Sequence, residues 1–257
     1  MRYIRLLVAI FKVSLIKDMH YRANFFYGIA ITLVWQVATF VLIYALTNRY
    51  STFGGWSGRE MYLLSCVIGA SSGFMHYFFF PSLIVLPYKI SDGSFDIYLT
   101  KPLPTIVTAS IGYFGFHNLV SGLSYLAIGA FFLESLRPLS LLLFLCTMIL
   151  AILVQYFLWL LIITISFWTG RLDGVFDLFA TIREKGRYPI SLYGGIPWMI
   201  RILVLPFAMS AVVPTSYLIG KDNPLYTAAL IATTLAIGTL SYSLWKYSEK
   251  RYSSPGG

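Results

Sequence analysis

The feature that most constrains this chain is a set of six apolar runs, at residues 25–47, 61–86, 105–133, 139–168, 196–218 and 225–245. Each has the roughly 20 residues a helix needs to cross a hydrocarbon core. Backbone at that depth must satisfy its own polar groups, so each run is expected to be helical. Of the 257 residues, 58% are hydrophobic and only 11% are charged, so most of the surface could not face water. That composition excludes an ordinary soluble enzyme and a disordered chain, and the 20 glycines follow no collagen-like period. The expectation is an all-α polytopic membrane protein, a single transmembrane domain over 1–257 with six spans.

Helix-end signals punctuate the connectors. Ser57-Gly58-Arg59-Glu60 has the form of a capping box, Pro104 suits the first turn of the third span, and Asn223-Pro224 leads into the sixth. Arg201 lies inside the fifth span, which Pro206 and Pro214 interrupt, so a kinked or broken segment is expected there. An even span count puts both termini on one side. With the termini inside, fourteen Lys and Arg fall in inner segments, among them Arg171, Arg183, Lys185 and Arg187 of the 169–195 stretch. The outer loops hold four, Arg49, Arg59, Arg137 and Lys221. Both termini are therefore expected in the cytoplasm. Residues 1–24 form no cleavable signal, because Lys12 breaks the apolar run early. At 100° per residue, Arg2, Arg5 and Lys12 share one face and Leu7, Val8, Phe11 and Leu15 the other, the pattern of an interfacial amphipathic helix. The excess of 19 basic over 10 acidic residues reads as topogenic charge facing anionic lipid, with no nucleic-acid partner.

Several chemistries are missing. No phosphate-cradling GxxxxGK[ST] loop and no HExxH occur, and Cys66 and Cys146 have no CxxC partner, so neither ATP hydrolysis nor a metal or catalytic site is expected on this chain. Gly69-Ala70-Ser71-Ser72-Gly73 with His117 comes near an intramembrane serine protease but lacks the glycine two residues before Ser72. Ser65, Gly69 and Gly73 recur every four residues, and Gly115, Gly122 and Gly129 every seven, which reads as close helix packing. Gln36, His76, His117, Asn118 and Gln155 fall near mid-depth. They read either as interhelical hydrogen bonds or as a polar layer along a translocation path.

The sharpest local signal lies in the 88–104 connector, Ile90-Ser91-Asp92-Gly93-Ser94-Phe95-Asp96-Ile97-Tyr98-Leu99-Thr100-Lys101-Pro102. Ser91 or Asp92 can cap a helix of about two turns that Pro102 ends, with Phe95 and Leu99 as exposed knobs on one face. Gly93, Phe95, Asp96, Leu99, Lys101 and Pro102 resemble the corresponding loop in the small six-span permeases of uncharacterised ABC-2 type exporters. Phe167-Trp168, Arg187-Tyr188-Pro189 with Tyr193, Pro206-Phe207, Pro214 and the tail Lys250-Arg251-Tyr252-Ser253-Ser254-Pro255-Gly256 extend the resemblance along the chain. It implies the ABC-2 (type V exporter-like) fold, a bacterial inner-membrane location, and pairing with a second permease, identical or homologous. It also implies docking on separate ABC ATPase subunits, which would hold the ATP and Mg, through Gly93, Phe95, Asp96, Tyr98, Leu99, Lys101 and Pro102. The alternative is a secondary carrier or channel not coupled to ATP.

Overall fold

A computed structural model describes residues 2–49, 52–133, 137–170, 174, 177, 181–182, 186, 188–195 and 197–254, with backbone alone at 2–6, 192–193, 199–201 and 203. The expectations placed on Arg171, Arg183, Lys185, Arg187, Pro255 and Gly256, and on the side chains of Arg2, Arg5, Tyr193 and Arg201, lie outside the described residues. The described chain is helical. In order come α1 (Arg2–His20), α2 (Arg22–Arg49), α3 (Gly58–Phe78), α4 (Phe80–Leu83), α5 (Leu86–Ser91) and α6 (Asp96–Leu99). Then follow α7 (Thr105–Ser110), α8 (Phe116–Ala130), α9 (Pro138–Thr164), α10 (Ser166–Thr169), a 3-10 turn at Ile190–Gly195, α11 (Trp198–Ile219) and α12 (Pro224–Arg251).

Three of these segments, α2, α9 with α10, and α12, are each long and apolar enough to cross a membrane. The second expected span is not one rod. After α3 the chain bends by 53° into α4 and α5, and the bent pair makes a fourth candidate crossing. The third expected span, 105–133, is also divided, because Ile111–Gly115 is not helical. The fifth departs in the other direction. Pro206 and Pro214 both sit inside α11, which continues unbroken through them. Ser210, whose carbonyl Pro214 leaves without its helical donor, is fully buried, whereas Ile202, four residues before Pro206, is exposed.

Two expected caps are present. Ser57 Oγ accepts from the Glu60 N–H at 3.4 Å while Glu60 Oε2 accepts from the Ser57 N–H at 2.8 Å, closing the capping box of α3. Asn223 Oδ1 accepts from the Leu225 N–H at 2.9 Å, ahead of Pro224 in the first turn of α12.

The break between α7 and α8 shows what makes it tolerable. Ser82 Oγ accepts the N–H groups of Gly112 and Tyr113 at 2.8 and 3.0 Å. Ser14 Oγ of α1 takes Phe114 at 3.0 Å, Tyr77 O takes Gly115 at 3.1 Å, and Asp18 Oδ2 takes Phe116 at 3.1 Å. Asp18 also accepts the Tyr113 hydroxyl. The N–H groups of Gly112 through Phe116 are thus met by protein, as backbone away from water requires. One face of α1 thus packs on the break through Phe11, Ser14 and Asp18, while Leu7, Val8 and Leu15 remain exposed.

The molecule has two distinguishable ends. At one, Lys221 pairs with Glu60 at 2.8 Å, and Arg59 Nε donates to Phe132 O at 2.8 Å. A cleft of about 410 Å³ among Arg59, Glu60, Arg137 and Asp222 opens there. At the other, Phe167 at the end of α9–α10 meets α6 and the last turns of α12. The 32 residues of Pro138–Thr169 separate these ends by about 48 Å at 1.5 Å per residue.

The described end of the 169–195 stretch, residues 188–195, reaches the first end. Ser191 Oγ donates to Gly54 O at 2.7 Å and Tyr188 lies edge-on to Phe53, both on the α2–α3 connection of the first end. Ile182, Tyr188 and Ile190 pack on Val204 and Ala208 of α11.

Candidate functional site

The connector after α5 begins with a tight turn. Gly93 has φ 82°, a conformation costly for any side chain with a Cβ. Asp92 Oδ1 accepts from the Ser94 N–H at 2.9 Å and from its hydroxyl at 2.7 Å. Those two bonds stabilise the carboxylate and hold its pKa below the ordinary aspartate value. The Phe95 N–H reaches back to Lys89 O at 2.8 Å. Asp92 therefore shapes the turn and does not cap the following helix. That helix, α6, is a single turn rather than the two expected, and Phe95 stands at its N-cap position with no side-chain cap.

Phe95 is fully buried, which corrects its reading as an exposed knob. Its ring meets Phe167 at 5.1 Å, Tyr252 at 5.1 Å and Trp245 at 6.0 Å, all edge-on, and lies tilted 5.7 Å from Tyr98. Such edge contacts are favourable beyond the area they bury. Tyr98 is also buried. The side chains that α6 presents outward are Ile97, 60% exposed, and Leu99, 42% exposed, with Asp96, Lys101 and Pro102 beside them. The connector's far end is fixed as well, since Thr105 Oγ1 donates to Glu249 Oε1 at 2.8 Å and accepts from Trp245 Nε1 at 3.3 Å. A one-turn helix that could not persist alone is thereby locked to α9–α10 and α12.

The small-residue stripes meet between α3 and α8. A Cβ on Gly73 would come within 2.6 Å of Gly122 Cα, and one on Gly69 within 2.6 Å of the Tyr125 ring. On Gly129 it would come within 3.1 Å of Cys66 Cβ. Gly115 does not belong to that stripe. It is the N-cap of α8, where a Cβ would crowd the Asn118 amide.

The mid-depth polar residues fall into separate groups. Gln155 Nε2 donates to Ser71 Oγ and its Oε1 accepts from Ser72 Oγ, both at 3.0 Å, and the Ser72 carbonyl bonds His76 Nδ1 at 2.8 Å. That network joins α3 to α9. Gln36, on α2, is 2% exposed; its Oε1 accepts from Ser124 of α8 at 3.3 Å and its Nε2 has no partner among the described residues. His117 packs its ring on Gly28. The Ser72 hydroxyl is thus committed to Gln155, and His117 is held on α2. Among the described residues no cluster of metal-ligating side chains occurs.

Sequence reasoning missed Trp245 and the trio Ser14, Asp18 and Ser82. Trp245 looked like the end of a span, and hydroxyls inside apolar runs carry no local mark of the distant donors they serve.

No curated protein and no solved structure matches the chain. The family described as ABC-2 family transporter protein matches residues 33–256, from the first turns of α2 through the tail. The chain is a multi-pass membrane component of transport and belongs to the ABC-2 transporter family.

Proposed function

We propose that the chain is the permease subunit of an ATP-driven exporter of the bacterial inner membrane. Two permeases, identical or homologous, pair to form the path, and separate ABC ATPase subunits bind ATP with Mg and drive it. In this reading the six expected runs make six crossings, with the second and third bent and residues 188–195 reaching toward the first end before α11 crosses from the other; α1 lies along the cytoplasmic interface, and both termini are cytoplasmic. The α6 end faces the ATPases. Ile97 and Leu99 enter the ATPase groove, with Asp96, Lys101 and Pro102 at its rim. Phe95, Tyr98 and Gly93 hold the loop's shape. Closure of the ATPases pushes on α6, and the Phe95 cluster passes the displacement to α9 and α12, rocking the bundle between inward- and outward-open states. His76, Gln155, Gln36, His117 and Asn118 are candidates for the path's polar lining.

The observation that carries this reading is the pairing within one short loop of a locked aromatic, Phe95, with two exposed apolar side chains, Ile97 and Leu99. The test is copurification of the ATPase with full-length variants from native membranes. Burying an aliphatic side chain is worth about 1.5–3 kcal/mol, so Ile97→Ala with Leu99→Ala should weaken association by roughly tenfold to a hundredfold or more. Wild-type association and transport in that double variant would refute the coupling role of α6, whereas transport by a wild-type protein with which no ATPase copurifies would favour a carrier that needs none.

A further inference from the structure

A cavity of about 970 Å³ opens between α1, α5 and the connector that carries α6, and it shares Tyr98, Lys101 and Pro102 with the coupling loop. That volume is at the upper end of pockets that take small ligands, about 300–1,000 Å³. Its walls divide by chemistry. Leu7, Ile10, Val85, Leu103, Val107 and Ile111 give an apolar flank. Lys17, Lys89 and Lys101 bring three ammonium groups to the same cavity. Lys89 Nζ donates to the Tyr98 hydroxyl at 2.6 Å, and Lys89 and Lys101 each stand 4.9 Å from the Tyr98 ring centroid. Lys17 stands 4.1 Å over the Tyr113 ring. Among the described residues none of the three is in a salt bridge. Asp92 feels Lys89 only at longer range, and Asp18 is occupied by the Tyr113 hydroxyl and the Phe116 N–H.

Two like charges drawn onto one phenol repel each other, and an anion between them would turn that cost into attraction. The anion must also be amphiphilic, because an apolar wall flanks the lysines. Leu7 and Val8 of α1 are exposed beside the cavity, and with α1 along the cytoplasmic interface, as in the proposed function, the cavity falls at lipid-headgroup depth. We propose that this cavity binds an anionic glycerophospholipid, with its phosphate among Lys17, Lys89 and Lys101 and its upper acyl chain along Leu103, Val107 and Ile111. The proposal needs the membrane reading but not the ATPase assignment. A lipid seated there would bridge α1 to the α6 connector, so α6 would be held partly by lipid.

The test uses the full-length protein in nanodiscs of equal phosphatidylglycerol and phosphatidylcholine, with native mass spectrometry reading the lipid retained after transfer to detergent. Each Lys→Gln change at 17, 89 or 101 should cut phosphatidylglycerol retention about fivefold, since a basic residue near an anionic lipid is worth about that factor. The triple variant should lose all preference over phosphatidylcholine. Val107→Trp, which fills the cavity and keeps the charge, should also displace the lipid. Lys12→Gln, on α1 but outside the cavity, is the control. Retained selectivity in the triple variant or in Val107→Trp would overturn the site. An equal loss in Lys12→Gln would show diffuse surface charge instead. Unchanged lipid with lost ATPase copurification would assign the lysines to protein docking and end the proposal.

Discussion

Phe95 and Gly73 illustrate how much a single position carries where helices meet. Phe95 fills the space among Phe167, Trp245 and Tyr252, so truncation leaves a cavity in the main hydrophobic core. Phe95→Ala should cost about 3–5 kcal/mol, read as a lowered thermal midpoint of the purified protein, whereas Leu99→Ala should barely move it. Equal midpoints for the two would mean the ring is not an anchor. Gly73 faces Gly122 backbone to backbone, so even a methyl group forces α3 and α8 apart. Gly73→Ala should destabilise by about 1–3 kcal/mol through overpacking. Gly112→Ala, whose Cβ would lie 3.5 Å from Ser82 Oγ, should be tolerated in the same thermal assay. The glycine periodicity was legible in the sequence because close packing leaves a local mark. The burial of Phe95 was not, because it depends on aromatics far away in the chain that arrive only when α9 and α12 fold back.

At the scale of elements, continuity is set by who supplies hydrogen bonds. The runs that became α2, α9 and α12 could be read from hydropathy because nothing interrupts their ladders. The third run looked equally continuous, yet it divides at Ile111–Gly115, where Ser14, Asp18 and Ser82 offer acceptors from elsewhere. The fifth run looked interrupted, yet α11 spans both of its prolines as one helix, each proline side chain buried within the protein. Hydropathy and proline count are local; the acceptors are not. Ser14→Ala would leave the buried Phe114 N–H unpaired, at a cost of about 1–3 kcal/mol. Hydrogen exchange should reveal it as faster exchange at Phe114 and its neighbours. Exchange as slow as in wild type would show that the break needs no support from α1.

For the whole molecule, the contacts at each end make the topology testable. In a background lacking Cys66 and Cys146, single cysteines at Ser57, Ser191 and Lys221 should react with an impermeant reagent from one side. Those at Asp92 and Ser253 should react only from the other. Charge counting alone places Ser191 with Asp92, so Ser191 is the position that separates the two accounts. Labelling of Ser191 together with Asp92 would contradict the bond from Ser191 to Gly54.

The Phe95 cluster also dictates an order of assembly. The ring leaves the ribosome early, but two of its partners, Trp245 and Tyr252, belong to the last helix and the tail that follows it. Until that helix inserts, the loop has nothing to lock against and its aromatic ring lies open at the membrane surface. If α6 is the docking surface, a nascent chain cannot offer it finished before the last helix is in place. Engagement of a partner through α6 would then report completion of the chain, and unfinished copies would be left unpaired for disposal.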